Sequence, residues 1–278
     1  MELSVIISNR GHHENYLSKA LTALAMQEFK DFEVILLGLP PTSSVLNLIQ
    51  PFKKAFKALS LLPAWPLANR AAQLNEAVRR SKADYLVFSE ANCIPRKDFL
   101  KIHDERKEET FFLSGGHFKL TPAIYRQINE QRIQNQDCFD RKWLKTLGLK
   151  SSLRNHFLSK NKIKANILNA FLPGKASWNR HNSSCWKKDL LSIGGFNEYI
   201  DDEAVDQDIC RRLYRHELHG IKVDFNAICL HLGLPKLQSN IHIPALTQAL
   251  SPLRKGDPLR SFSKKEALKA KPQMNYHA

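Results

Sequence analysis

The first 115 residues alternate between short apolar runs and stretches in which apolar residues recur at helical spacing. The apolar runs predict strands at 3–8, 32–37, 58–62 and 85–88. The periodic stretches predict helices near 16–25, 45–56 and 68–80. Strands that alternate with helices predict a mainly parallel sheet, with ligands bound beyond the carboxyl ends of the strands. We therefore expect the chemistry near residues 8–11, 38–41 and 89–95.

The pattern changes in the second half of the chain. We expect a strand at 110–113 and a helix at 121–136, whereas residues 141–172 mix basic residues with an apolar stripe. Basic helices of this kind often lie on anionic membranes, although the stripe could equally pack on the domain. After residue 240 the periodicity is lost. These patterns predict one domain over 1–240, a basic helical insertion over about 119–178, and a basic tail over 241–278.

The net charge of +15 is concentrated in two blocks. Thirteen lysines and arginines stand against three acidic residues between His117 and Arg180, and seven stand against two from Arg254 onward. Such blocks indicate an anionic partner, which could be a lipid surface, a phosphorylated substrate or nucleic acid. Because the sequence has no RNP, KH or zinc-finger signature, nucleic acid is the least expected of the three.

Several other classes are disfavoured by the sequence. The longest apolar runs, such as 34–37, are far shorter than a membrane-spanning helix. No basic segment precedes the first of the predicted strands as in a secretory signal. The five cysteines form no Cys-x-x-Cys pair, and their odd number disfavours a complete disulfide framework. We expect a cytoplasmic protein, either soluble or peripherally bound to a membrane.

Three segments, at residues 69–95, 181–213 and 227–232, together resemble family 2 glycosyltransferases of the GT-A fold. Residues 69–95 resemble the helix and strand that lead into the Asp-x-Asp motif of that family. Residues 181–213 resemble its galactosyltransferase-like, acceptor-side segment, with Gly-Gly-Phe-Asn-Glu at 194–198 as the most specific match. Residues 227–232 resemble a late strand that ends in a histidine. The resemblance covers about residues 1–235 and implies a single α/β domain with a mostly parallel mixed sheet flanked by helices.

The resemblance also implies an activity. The expected reaction moves a sugar, with inversion, from a nucleotide-diphosphate sugar to a saccharide or lipid-linked saccharide, in the biosynthesis of cell-surface polysaccharide or lipopolysaccharide. The expected cofactor is a divalent metal, Mn²⁺ or Mg²⁺, because hard oxygen ligands and a diphosphate suit these ions. The basic insertion and tail would bring the protein to anionic lipid at the inner face of the cell membrane.

Particular residues receive roles from this resemblance. Asp206 is the expected catalytic base, which takes the proton of the acceptor hydroxyl. The expected metal ligands are Glu90, Asn92 and His231. The residues expected to bind the donor nucleotide are Ser8, Asn9, Arg10, Arg70, Glu90 and Asn92. The residues expected to bind the acceptor or its sugar are Trp178, Asn182 and Asp208.

The sequence departs from the family at three places, and these departures leave a second hypothesis open. The Asp-x-Asp position reads Glu-Ala-Asn at 90–92, the acidic pair after the second strand is Gly-Leu at 38–39, and Val205 replaces a glutamate. The alternative is a catalytically degenerate GT-A domain that binds a glycan or a partner protein. The individual residues also have structural alternatives: Asp206 could stabilise a helix N-terminus, and His231 and Trp178 could belong to the core.

Overall fold

The computed structural model describes residues 1–9, 14–63, 69–159, 161–171 and 174–232. Arg10 and the predicted tail at 241–278 lie outside the described residues. The strands are β1 Leu3–Ser8, β2 Phe32–Leu39, β3 Ala58–Pro63, β4 Tyr85–Glu90, β5 Cys93–Pro95, β6 Phe111–Leu120, β7 Ser183–Trp186 and β8 His219–Leu232. The α-helices are α1 Glu14–Ala25, α2 Ser43–Ile49, α3 Arg70–Arg80, α4 Phe99–Arg106, α5 Pro122–Arg126, α6 Glu130–Gln134, α7 Arg141–Thr146, α8 Lys162–Phe171, α9 Lys187–Ser192 and α10 Asp202–Arg215.

The eight strands form one mixed sheet in the order β3-β2-β1-β4-β7-β6-β8-β5. Strand β1 is parallel to both β2 and β4, and β2 is parallel to β3. The short strand β7 then pairs antiparallel with β4 and β6, while β6 and β8 run parallel to each other. The predicted parallel core of four strands is therefore confirmed, and an antiparallel strand joins it to a second group of strands.

Strand β1 explains why the core has two faces. All six of its residues are buried, as in a central strand covered on both sides by helices. Successive side chains point to opposite faces, so Leu3, Val5 and Ile7 pack in the cluster that includes apolar residues of α1 and α2. Ile6 packs in the other cluster, with apolar residues of α3 and α10. This arrangement holds β1 and β4 rigidly and so fixes where their carboxyl ends lie.

The insertion differs from the continuous helices that its pattern predicts. The predicted helix at 121–136 is two short helices, α5 and α6, and Asn129 begins the second by accepting a hydrogen bond from the backbone of Arg132. The predicted strand at 110–113 continues to Leu120. One part of the apolar stripe in 141–172 packs on the domain, since Leu144 is fully buried. Another part is open to solvent, as the membrane hypothesis requires, since Phe171 is 82% exposed. Within the described ranges, every helix is too short or too polar to cross a bilayer.

Candidate functional site

The carboxyl ends of β1 and β4 form the natural place for a ligand in this sheet. The chain continues from β1 to β2 on one side, whereas β4 pairs with β1 on the other side. Open α/β sheets bind ligands in the crevice at such a reversal of strand order. Ser8 ends β1 and pairs in register with Glu90, which ends β4. Arg70, at the start of α3, donates a 3.3 Å hydrogen bond to the Ser8 hydroxyl and lies 3.6 Å from Glu90 Oε1.

Glu90 is almost fully buried, with 2% of its surface exposed, and it is ion-paired. Its Oε2 lies 3.0 Å from Nδ1 of His181, which stands just before β7. Burial alone would raise the pKa of Glu90, but the hydrogen bond from His181 and the charges of His181, Arg70 and Arg180 lower it to about 2. Burial likewise acts to lower the pKa of His181, but its side-chain hydrogen bonds with Cys93 and Glu90 outweigh burial and raise that pKa. Glu90 is therefore an anion beside an imidazolium at neutral pH, and His181 would have to release its proton before it could bind a metal.

A potential metal-binding group surrounds this carboxylate. Glu90, His181 and His231 each offer one ligand atom, and these atoms all lie within 4.8 Å of one another. Burial, followed by the charges of His181 and His117, lowers the pKa of His231 to about 3, so His231 is neutral and can act as a ligand. Glu90 Oε1 and His231 Nδ1 are buried without a hydrogen-bond partner among the described residues. The carboxylate oxygen can bind a divalent transition metal such as Mn²⁺ directly. Because the Asn92 amide nitrogen donates to His231 Nε2, the proton of the neutral ring lies on Nδ1 and would have to be displaced before Nδ1 could bind a metal.

Asn92 lies beside this group, and its amide nitrogen is hydrogen-bonded to two residues of β8. Its Nδ2 lies 3.1 Å from His231 Nε2 and 3.4 Å from the backbone oxygen of Leu232. In this arrangement Asn92 orients the His231 ring, whereas His181 occupies the position of a third ligand. Sequence reasoning missed His181 as a ligand, although it opens the segment 181–213 and stands in the polar cluster just after Trp178.

Two arginines connect the carboxylates of α10 to the ends of the strands. Arg180 Nε lies 2.8 Å from Asp206 Oδ2, and its Nη1 lies 3.0 Å from Asp202. Arg70 Nη1 lies 3.1 Å from the other oxygen of Asp202. Arg180 is 9% exposed and also donates its backbone N–H to Asp206 at 3.3 Å. The predicted base Asp206 thus lies at the same crevice as Arg70. The ion pair between Arg180 and Asp206 was not predicted from the sequence.

The residues expected to bind sugar make contacts within the protein. Trp178 is 3% exposed and packs edge-on against Phe88, with ring centroids 5.2 Å apart. Asn182 is fully buried, and its Nδ2 donates 2.8 Å hydrogen bonds to the carbonyls of Gly116 and Ala227. Asp208 binds Arg211 and Arg212 of its own helix, at 2.8 and 2.7 Å. Each of these side chains therefore has a structural role, and sugar binding by them stays a prediction.

Three of the residues predicted to bind the donor nucleotide, Ser8, Asn9 and Arg70, border an open hollow. A cavity of about 350 Å³ is lined by Ser8, Asn9, Gly38, Arg70 and Asp202, together with Leu37 and Gln73. Gly38 has a φ of +76°, and a Cβ there would lie 2.3 Å from the Asn9 carbonyl oxygen. A larger residue would therefore displace the backbone that forms the wall of the hollow. The predicted contact by Arg10 lies outside the described residues.

Solved structures of glycosyltransferases have the same fold at low sequence identity. The mannosyltransferase PcManGT from Pyrobaculum calidifontis, in complex with GDP-Man and Mn²⁺, is 15% identical, with a TM-score of 0.54 over 85% of this chain and 58% of that chain. TarS from S. aureus is also 15% identical, with a TM-score of 0.54 over 84% of this chain and 37% of that chain. TarS 1-349 in complex with UDP-GlcNAc is 14% identical, with a TM-score of 0.54 over 84% of this chain and 59% of that chain.

These likenesses confirm the predicted fold class. The chain spans less than two thirds of each of these three solved chains. No protein-family model and no curated protein matches the sequence. The comparison therefore establishes a glycosyltransferase-like α/β fold, and the activity has to be argued from the residues of the site.

Proposed function

We propose that this chain is a glycosyltransferase that takes a nucleotide-diphosphate sugar as donor. The observation that carries the proposal is the crevice at the ends of β1 and β4, where a buried carboxylate with an unsatisfied oxygen lies beside two imidazoles and two arginines. A diphosphate leaving group requires positive charge, which Arg70 and a bound divalent metal would supply in this crevice. The structural neighbours were solved with GDP-Man and with UDP-GlcNAc, which supports this class of donor.

Glu90, His181 and His231 would hold a divalent metal, either Mn²⁺ or Mg²⁺, with Asn92 orienting His231. Such an ion, when bound, stabilises negative charge on the diphosphate as a Lewis acid. The two imidazoles favour Mn²⁺ over Mg²⁺, because Mg²⁺ prefers oxygen ligands. Arg70 would contact the diphosphate directly, since it borders both Ser8 and Glu90.

Asp206 would act as the base for an inverting transfer to a saccharide hydroxyl. Its carboxylate is held in the crevice by two hydrogen bonds from Arg180, one from the guanidinium and one from the backbone. Arg180 therefore orients the Asp206 carboxylate for the acceptor hydroxyl. Asp206 then takes the hydroxyl proton while the hydroxyl oxygen attacks the anomeric carbon from the face opposite the diphosphate. The bond between that carbon and the diphosphate oxygen breaks, and the nucleoside diphosphate leaves with the electron pair.

The acceptor would be a saccharide or lipid-linked saccharide in cell-surface polysaccharide or lipopolysaccharide biosynthesis, at the inner face of the cell membrane. Helix α8 supports attachment to the membrane, because Ile163, Ile167 and Phe171 are exposed on it, at 74%, 52% and 82%. Its exposed lysines, Lys162 and Lys164, would meet anionic lipid. The I163S/F171S double substitution should weaken binding to phosphatidylglycerol vesicles, and unchanged binding would remove α8 as the contact.

A binding experiment on the full chain tests the proposed donor site. UDP, GDP and their sugars are titrated with and without Mn²⁺, and thermal stabilisation is measured. We expect stabilisation that depends on Mn²⁺ and is lost in Arg70→Ala. The matched control is Arg79→Ala on the same helix, where the side chain is 58% exposed and pairs with Glu76. Equal losses in the two variants, or no stabilisation by any nucleotide, would contradict the proposal.

Asn92 favours the second candidate, a degenerate domain that binds a glycan or a partner protein. It places a neutral amide where the family has a carboxylate, and that amide is engaged by β8. The same titration separates the candidates, because a degenerate domain should bind no nucleotide in a Mn²⁺-dependent way and should not hydrolyse a donor.

A further inference from the structure

A second, larger cavity lies over β6, and we call it the β6 cavity. It has a volume of about 750 Å³ and is lined by residues of β6, of the segment 148–157, of 175–179 and of β8. It adjoins the proposed transfer site, because His117 in its lining has its ring centroid 5.1 Å from that of His181. Asn179, also in the lining, directly precedes Arg180. A molecule in the β6 cavity would therefore lie next to the crevice in which sugar transfer is proposed.

The lining of the β6 cavity is strongly cationic. Five basic side chains border it, and Asp224 is the one acidic residue among the described lining residues. The five are Lys119, Lys150, Arg154, Lys175 and Lys222. Within the described ranges, the side chains of Lys119, Lys150 and Arg154 have no carboxylate in ion-pairing distance. Because these three side chains are unpaired among the described residues, their positive charge favours the binding of an anion.

The rest of the lining is suited to a hydroxylated molecule. Asn179 donates from Nδ2 to the carbonyls of Gly115 and Asn182, both at 3.2 Å. Its Oδ1 is buried and has no partner among the described residues, so it can accept a hydrogen bond from a ligand hydroxyl. Phe118 and Phe157 add apolar surface, against which a sugar ring can pack.

We propose that the β6 cavity binds the acceptor, and that this acceptor is a hydroxylated molecule carrying an anionic group, either a phosphate or a carboxylate. The inference rests on the proposed glycosyl transfer and adds the chemical class of its acceptor. Lys150 and Arg154 bind the anionic group, Asn179 accepts from a hydroxyl, and the end of the molecule near His117 presents the reacting hydroxyl to the crevice. A neutral saccharide would leave the cations of this cavity without a partner.

Three small probes test this assignment on the full chain. Glucose 6-phosphate, glucuronic acid and glucose are titrated by NMR in the presence of saturating UDP and Mn²⁺, which keeps the anionic probes out of the donor site. Because hydrogen bonds to charged groups are worth about 1.5–3 kcal/mol, we expect at least one anionic probe to bind roughly tenfold more tightly than glucose. The probe that gains the advantage identifies the acceptor's anionic group as phosphate or carboxylate.

A pair of double variants locates the binding. K150A/R154A removes two cations of the cavity and should abolish the anionic advantage, whereas K142A/K145A removes two exposed lysines of α7 that do not line it. The second variant makes the same change in net charge within the same insertion and should bind all three probes like the parent. Equal affinity of all probes for the parent chain, or equal losses in the two variants, would overturn the inference.

The binding of UDP separates this inference from the proposed function. Normal Mn²⁺-dependent UDP binding with no anionic advantage would overturn the acceptor class and leave the donor site standing. An anionic advantage that depends on Lys150 and Arg154, without any UDP binding, would support the β6 cavity as an anion site and contradict the transferase.

Discussion

The crevice at the ends of β1 and β4 and the neighbouring β6 cavity differ in how far their cationic side chains are matched by carboxylates. In the crevice, Arg70, Arg180 and His181 are matched by Glu90, Asp202 and Asp206, and each cation contacts at least one of the carboxylates. In the β6 cavity, five cations border the space with Asp224 as the described acidic residue. The crevice is therefore charge-balanced and rigid before any ligand binds. The lining of the β6 cavity instead keeps a net positive charge that an anionic ligand could neutralise.

This difference predicts how substitutions should behave. Removing one partner from a buried pair leaves the other unpaired in a poorly solvated place, so changes in the crevice should have large effects. The cations of the cavity are mostly exposed, so changes there should mainly weaken binding and leave folding intact.

The largest effect is expected for Asp206→Asn in the crevice. The amide keeps the shape and can still accept from Arg180, but it is not able to take a proton from the acceptor hydroxyl. Loss of a general base typically lowers turnover by about 10²–10⁴-fold. Transfer should fall by this amount while the affinity for UDP in the presence of Mn²⁺ changes little, as measured by steady-state kinetics and calorimetry.

The control for this variant is Glu203→Gln, an exposed position on the same helix. It should leave both turnover and UDP affinity unchanged. Retained turnover in Asp206→Asn would show that another group takes the proton.

Glu90→Gln is expected to lower both the free energy of unfolding and the affinity for Mn²⁺. It leaves His181 and Arg70 without the buried carboxylate that now pairs with both. Breaking such a buried pair costs about 3–5 kcal/mol, and the loss of one ligand should also abolish Mn²⁺ binding. Denaturant unfolding and calorimetry with Mn²⁺ measure the two effects.

Glu76→Gln is the matched change outside the crevice, because Glu76 pairs with the exposed arginines Arg79 and Arg80. Its cost should stay below about 1 kcal/mol. Similar costs for the two variants would mean that the Glu90 pairs contribute no more than a surface salt bridge.

The parallel half of the fold was predictable because its signals are local. Strands β1 and β4 are largely apolar and buried along their whole length, and α3 begins at an asparagine cap, where the Asn69 side chain accepts from the backbone of Ala72. The second half depends on contacts between distant residues. Strand β6, for example, continues through Gly115 and Gly116 because β8 pairs beside it, which neither glycine signals by itself.

The site was predictable to the extent that its residues end predicted strands. Glu90 follows an apolar run and His231 ends another, so both were accessible to sequence reasoning. His181 and Arg180 stand in the irregular segment before β7, and their roles arise only when β7 pairs with β4 and brings that segment to Glu90. Pairing between strands about 100 residues apart leaves no local pattern in the sequence.

Asn92→Asp would add a negative charge to the crevice. The buried amide now donates to β8, and a carboxylate there would face the carbonyl of Leu232 and lose that hydrogen bond. Without metal, we expect a loss of about 1–3 kcal/mol in stability. With Mn²⁺, the added oxygen anion should increase metal affinity, so Mn²⁺ should stabilise this variant more than the parent in thermal unfolding.

Asn135→Asp, at an exposed position of the insertion, controls for the added charge and should show the parent's response to Mn²⁺. An equal response to Mn²⁺ in Asn92→Asp would mean that position 92 lies too far from the metal to contribute.

The smallest effect concerns the pH dependence of the β6 cavity. Burial raises the pKa of Asp224 to about 6, although the charge of Lys222 opposes this. Asp224 is therefore largely neutral at pH 5 and becomes an anion by pH 7.5. The pKa of His117 is lowered to about 4 by burial and by the charges of His181, Lys119 and Arg154, so His117 stays neutral over this range. Of the described lining residues with a shifted pKa, Asp224 is the one that changes charge over this range.

Ionised Asp224 should repel an anionic ligand, so the affinity for glucuronic acid should fall as pH rises from 5 to 7.5. For two charges several ångströms apart in a solvated cavity, we expect a decrease of roughly three- to fivefold. Asp224→Asn should remove the decrease and keep the affinity at the value seen at pH 5, whereas Asp189→Asn, on α9 and outside the cavity, should retain it. An affinity that is independent of pH in the parent chain would mean that the anionic group of the ligand lies away from Asp224.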